Sequence, residues 1–389
     1  MLKVAIVGCG KIADSHASQI RRIPGCQMVG ACDREPLMAK QLCERFSIAE
    51  SFTDLDELID RTRPDVVHIT TPPQSHFDVA RYCLEHGCHV YVEKPFTLNT
   101  SEAQELIGLA ERTGLKVTVG HDDQFRHVAR RMRKLIKDGF LGGQPLHMES
   151  YYCYELDETS NYAKALLADK NHWVRGLPGK LLHNIISHGI ARIAEYLNDG
   201  ALQVTSCGFP SLLLRKIGET EIIDELRVTI REDERVTAYF TFSSQMRPAL
   251  HQFRVYGPEN GLILDQDNET LITLRGKRYK SYLEQFLPPL NYALQYAGNF
   301  KQNLGAFLLN DFHPKAGMKF LIQSFYECIV GNLPVPIPYR EILLTSRIME
   351  SIFNDLSART EGSLDRGREL KCRHPLGANS AGRLAESLP

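Results

Sequence analysis

The stretch Lys3-Val-Ala-Ile-Val-Gly8-Cys-Gly10-Lys-Ile-Ala13 near the N-terminus decides the fold. Its first half is a β-branched apolar run that predicts a buried strand, and a helical pattern begins after Gly10. Gly8 permits a tight turn, Gly10 lets the backbone approach a pyrophosphate, and Ala13 is small enough for close helix–strand packing. The N-terminus of the helix adds unpaired N–H groups and a partial positive charge. The stretch therefore predicts a dinucleotide-binding strand–turn–helix.

A carboxylate at the end of the second predicted strand strengthens this interpretation. Asp33 lies 23 residues after Gly10, near the offset of about 20 residues expected for the group that binds the ribose 2′-hydroxyl. Because its negative charge would repel a 2′-phosphate, we expect NAD as the cofactor. The guanidinium of Arg34 could bind a 2′-phosphate or stack on adenine, so NADP stays open.

The succession of strands and helices predicts two domains. Over residues 1–122, short apolar strands alternate with helices, which is typical of a doubly wound parallel sheet, the α/β Rossmann fold. Residues 123–360 contain longer strands that follow one another, which predicts an α+β domain with a large, mainly antiparallel sheet. Its closing helices could pack back on the first domain. Residues 361–389, rich in Arg, Gly and Ser, are expected to form a loosely ordered tail. The predicted strands are Lys3–Val7, Gln27–Cys32, Val66–Thr70, His89–Val92, Lys116–Val119, Leu146–Tyr154, Ala201–Cys207, Asp224–Arg231, Val236–Phe242 and Leu250–Tyr256.

Composition excludes several classes of partner. The 389-residue chain has a formal net charge of −1, so no overall field attracts nucleic acid or an anionic membrane. No apolar stretch approaches the roughly 20 residues that span a bilayer, and the first residues lack the features of a signal peptide. The ten cysteines show no CxxC pair and no metal-ligand spacing, which favours reduced thiols over disulfides or zinc. We expect a cytoplasmic protein without a metal site.

Three motifs follow the later strands of the first domain. Thr71-Pro-Pro-Gln-Ser-His76 follows the third predicted strand, Glu93-Lys-Pro95 closes the fourth, and Val119-Gly-His121 ends the fifth. Ligands of open parallel sheets collect at these carboxyl ends. With the N-terminal turn and the later segment Pro336–Tyr339, the motifs make residues 1–355 resemble the Gfo/Idh/MocA family, also called the glucose-fructose oxidoreductase-like family.

The resemblance implies that Lys94 is catalytic, close to the nicotinamide and the substrate hydroxyl, and that a cis peptide bond precedes Pro95. The chemistry agrees, because a carbon loses hydride only as its hydroxyl loses a proton. A lysine beside a cationic nicotinamide would also have a lowered pKa. The predicted cofactor-binding residues are Gly8, Gly10, Lys11, Ile12, Asp33, Arg34, Thr71, Pro72, His76, Glu93 and Lys94.

A second group of candidates lies on the predicted helix Lys180–Leu197. The family typically places Asp and His four residues apart here, with the histidine as general acid/base, and this sequence has Asn184 and His188. The i, i+4 spacing places both on one helix face, and imidazole titrates near neutrality, so both are predicted to be catalytic. Asparagine cannot supply the negative charge that would raise the pKa of the histidine. His183 could take over part of that role towards the substrate, or it could be a capping or buried polar residue.

Other substrate-binding candidates flank these two motifs. His121 ends the Val-Gly-His motif, and Gln124 stands where many relatives have arginine, which leaves recognition of an anionic group open. Arg126 is displaced from that position, and whether it compensates also stays open. Trp173 and Arg175 precede the predicted helix; a sugar ring could stack on Trp173, and a packing role is equally compatible with the sequence.

The residues and the resemblance together predict an NAD(P)-dependent oxidoreductase acting on a hydroxyl or keto carbon of a sugar, cyclitol or nucleotide sugar. The alternatives are an NAD-dependent glycosidase that uses transient oxidation and elimination, and a non-catalytic NAD-binding regulator. Retention of Lys94 and His188 disfavours the regulator. Because the family often forms dimers or tetramers, we expect a homodimer or homotetramer. The helical segment Leu290–Asn310 carries an apolar stripe, which predicts core packing or a subunit contact.

Overall fold

The computed structural model describes residues 1–155, 161–276, 279–280, 282–309 and 312–372. The first domain alternates strands and helices along the chain. Its elements are β1 (Leu2–Val7), α1 (Lys11–Ile20), β2 (Cys26–Cys32), α2 (Pro36–Phe46), β3 (Glu50–Phe52), α3 (Leu55–Thr62), β4 (Val66–Ile69), α4 (His76–Glu85), β5 (His89–Val92), α5 (Thr100–Thr113) and β6 (Val117–Val119).

Six parallel strands form the sheet of this domain, in the order β3-β2-β1-β4-β5-β6. The strand order reverses between β1 and β4, so the turns after these two strands flank a crevice at the carboxyl edge. Strands β1, β4 and β5 are buried over most of their length, as expected when helices cover both faces. The predicted Rossmann fold is confirmed. The sequence pattern does not predict β3, because its three residues are too few to show a period.

The second domain contains a larger sheet and the remaining helices. Its elements are α6 (His127–Lys137), β7 (His147–Cys153), α7 (Asn161–Ala168), α8 (Lys180–Ile185), α9 (Ser187–Ala194), β8 (Leu202–Phe209), α10 (Leu212–Lys216), β9 (Glu225–Glu232), β10 (Val236–Ser243), β11 (Leu250–Tyr256), β12 (Asn260–Asp265), β13 (Thr270–Arg275), α11 (Leu283–Leu308), α12 (Ala316–Val330) and α13 (Tyr339–Cys372).

Seven strands form the second sheet, in the order β13-β12-β11-β7-β10-β9-β8. Strands β7 and β10 pair in parallel and all other neighbours are antiparallel, which confirms the predicted α+β class. Strands β12 and β13 are missing from the sequence prediction, because Gly261 and the polar residues around these short strands interrupt the apolar pattern.

Two of the predicted helical boundaries differ from the structure. The predicted helix Lys180–Leu197 is divided into α8 and α9 at Ile186, whose ψ of −13° departs from the usual helical value near −42°. Helix α13 continues to Cys372 and so extends past residue 361, since its Arg, Glu and Leu residues are good helix formers. The rest of the predicted loose tail, residues 373–389, lies outside the described residues.

The closing helices tie the two domains together. Leu321, Ile322 and Phe325 of α12 join the core of the first domain, whereas Ile348 and Ile352 of α13 join the core of the second. Within the described ranges, no helix is both long and apolar enough to cross a membrane.

Candidate active site

The turn after β1 has the conformation that its glycines predict. Gly8 has a φ of +90°, and a Cβ added to it would lie 2.6 Å from the backbone nitrogen of Thr71. Only glycine fits there, because the left-handed conformation and the close approach of the next loop both exclude a side chain. Gly10 is different: no described atom lies within 4 Å of an added Cβ, and the residue is the N-cap of α1. The open space beside the first-turn residues Lys11 and Ile12 fits a dinucleotide pyrophosphate.

Asp33 reaches the same turn from the end of β2. Its carboxylate accepts hydrogen bonds from the backbone N–H groups of Cys9, at 2.6 Å, and Glu35, at 2.9 Å. These bonds hold the carboxylate beside the glycine turn, where the fold places the ribose of a dinucleotide. Arg34 is exposed at the same edge.

His76 joins the loops that follow β4 and β5. The residue is fully buried, and its ring nitrogens each lie 2.9 Å from a carbonyl oxygen, one of Thr71 and one of Pro95. Its ring therefore fixes one loop against the other, and this arrangement supports a positioning role rather than the predicted cofactor contact. The loop after β4 is further held by the Ser75 hydroxyl, which donates to the Thr71 hydroxyl at 2.8 Å, and Pro72 lies between them in the chain.

A buried chain of hydrogen bonds begins at Glu93. Its Oε1 lies 2.8 Å from His16 Nε2, and His16 Nδ1 lies 2.8 Å from His68 Nδ1. His68 Nε2 lies 2.8 Å from the Tyr326 hydroxyl. Every group is satisfied when the tyrosine donates to His68, His68 donates to His16, and His16 donates to the carboxylate. Burial opposes ionisation of Glu93, but the hydrogen bond from His16 and neighbouring positive charges outweigh it and lower the pKa of Glu93 to about 2.

Lys94 reaches from the end of β5 to the second domain. Its Nζ donates to the backbone carbonyl of Asn184 at 2.8 Å, so the structure brings these two predicted catalytic positions together. The peptide bond between Lys94 and Pro95 is cis, as predicted. Burial lowers the pKa of Lys94, although the negative charges of Glu93 and Asp122 act in the opposite direction and raise it.

Two carboxylates that the sequence analysis does not select lie beside His188. Asp123 Oδ2 is 3.7 Å from His188 Nδ1, and Asp122 Oδ1 is 3.9 Å from the same nitrogen. The Tyr152 hydroxyl donates to Asp123 Oδ2 at 2.9 Å, and Gln266 Nε2 donates to Oδ1 at 2.6 Å. Burial opposes ionisation of Asp123, but nearby positive charges and a hydrogen bond outweigh it and lower the pKa of Asp123. Burial and the charge of Asp123 raise the pKa of Asp122.

His121 and His188 lie side by side in this cluster. Their ring centroids are 5.8 Å apart and both residues are buried. Burial lowers the pKa of His188 to about 4 and the pKa of His121 to about 3. Both imidazoles are therefore neutral at pH 7, and His188 is able to accept a proton. In the described part of the chain, no three His, Cys, Asp or Glu side chains are grouped as they would be around a metal ion.

His183 lies away from this cluster. Its ring is buried and stacks on Phe353, with 5.0 Å between the ring centroids. The residue precedes His188 by five positions, and the turn of the helix directs it towards α13. This contact favours the buried polar role over the predicted contact with substrate.

Gln124 and Arg126 do not supply a positive charge to the crevice. The buried Gln124 donates to the carboxylate of Glu195 at 2.9 Å. Arg126 Nε donates to Glu269 Oε1 at 2.5 Å in a largely buried ion pair. Arg126 therefore does not compensate for the absence of an arginine at position 124.

The loop before α8 contributes Trp173 but uses Arg175 for its own structure. The Trp173 side chain is 37% exposed, and its backbone carbonyl accepts a hydrogen bond from Gln74 Nε2 at 2.8 Å. A partly exposed ring beside the loop after β4 is compatible with the predicted sugar contact. Arg175 instead donates to Glu219 at 2.6 Å and to the Leu166 carbonyl at 3.1 Å, so it stabilises the loop.

Comparison with known proteins agrees with this geometry. Residues 2–121 match the Gfo/Idh/MocA family model, described as an oxidoreductase family with an NAD-binding Rossmann fold. The chain is 30% identical over 142 residues to the D-glucoside 3-dehydrogenase of Escherichia coli, covering 36% of this chain and 40% of that enzyme. It is 31% identical over 149 residues to the UDP-N-acetylglucosamine 3-dehydrogenase of Acidithiobacillus ferrooxidans, covering 38% of this chain and 44% of the relative. A solved structure of a UDP-N-acetylglucosamine 3-dehydrogenase from the same organism superposes with a TM-score of 0.68 at 20% identity, covering 91% of this chain and 99% of the other.

The two kinds of match differ in what they show. The sequence matches span less than half of the length of these two curated relatives. The superposition covers nearly the whole chain and shows that both domains share the fold of that solved structure. Residues 2–121 thus match the Gfo/Idh/MocA oxidoreductase family, and the six-stranded parallel sheet of this domain agrees with the NAD-binding Rossmann fold by which that family is described.

Proposed function

We propose that this chain is an NAD(P)-dependent oxidoreductase that transfers hydride between a nicotinamide and a hydroxyl or keto carbon of a sugar, cyclitol or nucleotide sugar. The observation that carries the proposal is the placement of Lys94 Nζ. It lies at the carboxyl edge of the Rossmann sheet, bonded to the Asn184 carbonyl, in the cluster that contains His188. The glycine turn that fits a dinucleotide lies at the same edge.

A dinucleotide bound at the glycine turn would supply the nicotinamide, the group that accepts or returns hydride. Lys94 binds the reacting hydroxyl through Nζ, and its lowered pKa favours movement of a proton at that atom. Its present partner is a neutral backbone carbonyl, whose hydrogen bond a substrate oxygen can replace at little cost in charge.

His188 takes up the proton released from the hydroxyl. Its imidazole is neutral at pH 7, because burial lowers its pKa to about 4. The protonated ring that results faces two carboxylates, at 3.7 and 3.9 Å from Nδ1. The negative charge of Asp123, whose pKa is lowered by nearby positive charges, stabilises the imidazolium that forms during the reaction.

The substrate class rests on the relatives and on the shape of the site. Two relatives are named as dehydrogenases of a glucoside and of a nucleotide sugar. Trp173 offers a partly exposed ring for a sugar, and neither Gln124 nor Arg126 offers a cation for an acidic group. We therefore place substrates whose reacting sugar ring is neutral, whether a free sugar, a glycoside or the sugar of a nucleotide sugar, before sugar acids. A homo-oligomer remains our expectation for the assembly.

Substitution of Lys94 tests the proposal. NADH formation is followed at 340 nm with NAD and a panel of glucosides, inositols and nucleotide sugars. The Lys94→Met variant is expected to lose at least about 1,000-fold in kcat while its NAD affinity changes less than about threefold. Lys116→Met is the matched control, because Lys116 also donates to a backbone carbonyl but lies at the N-terminal edge of β6. Equal turnover in the two variants would exclude Lys94 as the reacting group. Consumption of a glycoside without lasting NADH would favour the glycosidase alternative.

A further inference from the structure

Helix α11 turns its polar side to the protein and its apolar side to solvent. Gln295 and Asn299 lie one helical turn apart on the side that contacts β13. The Gln295 oxygen accepts from the Thr273 N–H at 2.7 Å, and its nitrogen donates to the Thr273 carbonyl at 3.2 Å. Asn299 repeats the pattern with Leu271, with both distances 3.0 Å.

These four hydrogen bonds have a clear physical reason. Strand β13 is at the edge of the second sheet, so alternate residues direct unpaired N–H and C=O groups outward. The two amide side chains form hydrogen bonds with the backbone N–H and C=O groups of Leu271 and Thr273, as the backbone of a neighbouring strand would. Asn299 is only 2% exposed, so this contact fixes the rotation of the helix about its axis.

The apolar stripe predicted for this segment therefore faces away from the protein. Its large side chains are 49–73% exposed, and they are Leu283, Phe286, Leu290, Leu294, Phe300, Leu304 and Leu308. Over the 26 residues of the helix, the only charged side chains are Glu284 and Lys301. An apolar surface of this extent on a protein without a covering partner is unfavourable in water.

We infer that the outward face of α11 is covered by a second copy of this chain. A helix of 26 residues is about 39 Å long and about 10 Å wide, so half of its surface is about 600 Å². Two such faces bury about 1,200 Å² in total, the lower limit of a standard stable interface. A membrane surface is the less suitable occupant, because helices that bind anionic lipid carry several cations along the polar face, and here the polar face is Gln/Asn-rich and occupied by β13.

The test measures the mass of the full chain in solution at concentrations from about 1 to about 50 μM, a range in which typical dimers form. We expect the wild type to be a multiple of the 44.0 kDa chain mass, and the Leu290→Glu/Leu304→Glu variant to have half the wild-type mass, with at least about a 100-fold weaker association. Leu212→Glu is the control, because Leu212 is 70% exposed on α10 and lies outside the stripe; it is expected to leave the mass unchanged. Both variants are expected to keep the wild-type circular dichroism and NAD affinity.

A measurement on the unmodified protein covers the case in which the double variant fails to fold. Hydrogen–deuterium exchange of the wild type at high and low concentration is expected to show slower exchange of α11 amides in the assembled form. A monomeric wild type would overturn the inference. An oligomer would also overturn it if its mass were the same in the double variant and its α11 exchange were the same at both concentrations. Flotation of a monomer with vesicles of phosphatidylcholine and phosphatidylserine would assign the face to lipid instead.

Discussion

Replacement of His16 tests how the fold keeps a carboxylate charged beneath the crevice. His16→Ala removes the N–H donor that lies 2.8 Å from Glu93 Oε1, and Glu93 is only 6% exposed. Removing one partner of a buried, hydrogen-bonded charge costs about 3–5 kcal/mol. The pKa of Glu93 gives a similar magnitude, because a pKa lowered from 4.5 to about 2 corresponds to about 3 kcal/mol of stabilisation of the folded state.

The assay is equilibrium unfolding in urea, followed by far-UV circular dichroism at several pH values. At pH 7 the His16→Ala variant is expected to lose about 3 kcal/mol, whereas His16→Gln, which keeps an N–H donor, is expected to recover most of it. An acid with a lowered pKa stabilises the folded state above its unfolded-state pKa, near 4.5, and this stabilisation is lost as the pH falls towards 2. The difference in unfolding free energy between the wild type and the alanine variant is therefore expected to narrow on acidification. His86→Ala, which removes an exposed contact to the Tyr82 carbonyl, is the control and is expected to lose less than about 1 kcal/mol. A loss below about 1 kcal/mol in His16→Ala, or an equal loss in the glutamine variant, would refute the reasoning.

Three further predictions concern the cofactor turn and the acid/base group. In thermal unfolding without cofactor, Gly8→Ala is expected to lose about 3 kcal/mol of unfolding free energy, because the new Cβ meets Thr71 at 2.6 Å and the residue has a left-handed conformation. Gly10→Ala has open space for its Cβ and is expected to unfold like wild type. Its NAD affinity, measured by fluorescence titration, is expected to be at least about tenfold weaker. Asp33→Asn keeps an acceptor for the turn but removes the charge, so the ratio of NADP to NAD affinity is expected to rise at least about tenfold; an unchanged ratio would count against Asp33 as the ribose-binding group. Since the pKa of His188 is lowered to about 4, the imidazole stays neutral as the pH falls from 7 to 5, and kcat/KM is expected to decline only below pH 5; a decline centred near pH 6.5 would contradict this assignment.

The parts of the fold that sequence predicts well are those whose signal is local. The glycine turn, Asp33 and Lys94 each follow a short apolar strand, and a parallel sheet brings all strand ends to one edge, so their convergence follows from the pattern. Strands β12 and β13 have no comparable apolar pattern, so the sequence does not predict them.

Contacts between distant residues have no local signal. His68 lies inside an apolar strand and Tyr326 lies 258 residues later, and only the packing of α12 on the first domain brings them together. The one available hint is that a histidine in a fully buried strand needs partners for both ring nitrogens. For His183 the missing information leads to the opposite error, since the sequence suggests a substrate contact where the structure has a packing contact. Its stacking on Phe353 depends on the position of α13, which the local sequence does not indicate.

Asn184, at the position where the resemblance implies an aspartate, does not leave the site without negative charge. The contact of Asn184 with Lys94 uses the backbone carbonyl, which any residue at that position could provide. The negative charge comes instead from the residues after β6, where Asp123 lies 3.7 Å from His188 and accepts hydrogen bonds from Tyr152 and Gln266. Burial and the charge of Asp123 raise the pKa of Asp122, whereas nearby positive charges lower the pKa of Asp123, so Asp123 stays ionised while Asp122 holds a proton more readily. The histidine therefore faces one fixed negative charge, as an aspartate one helical turn away would provide, but the charge comes from the Rossmann sheet rather than from its own helix.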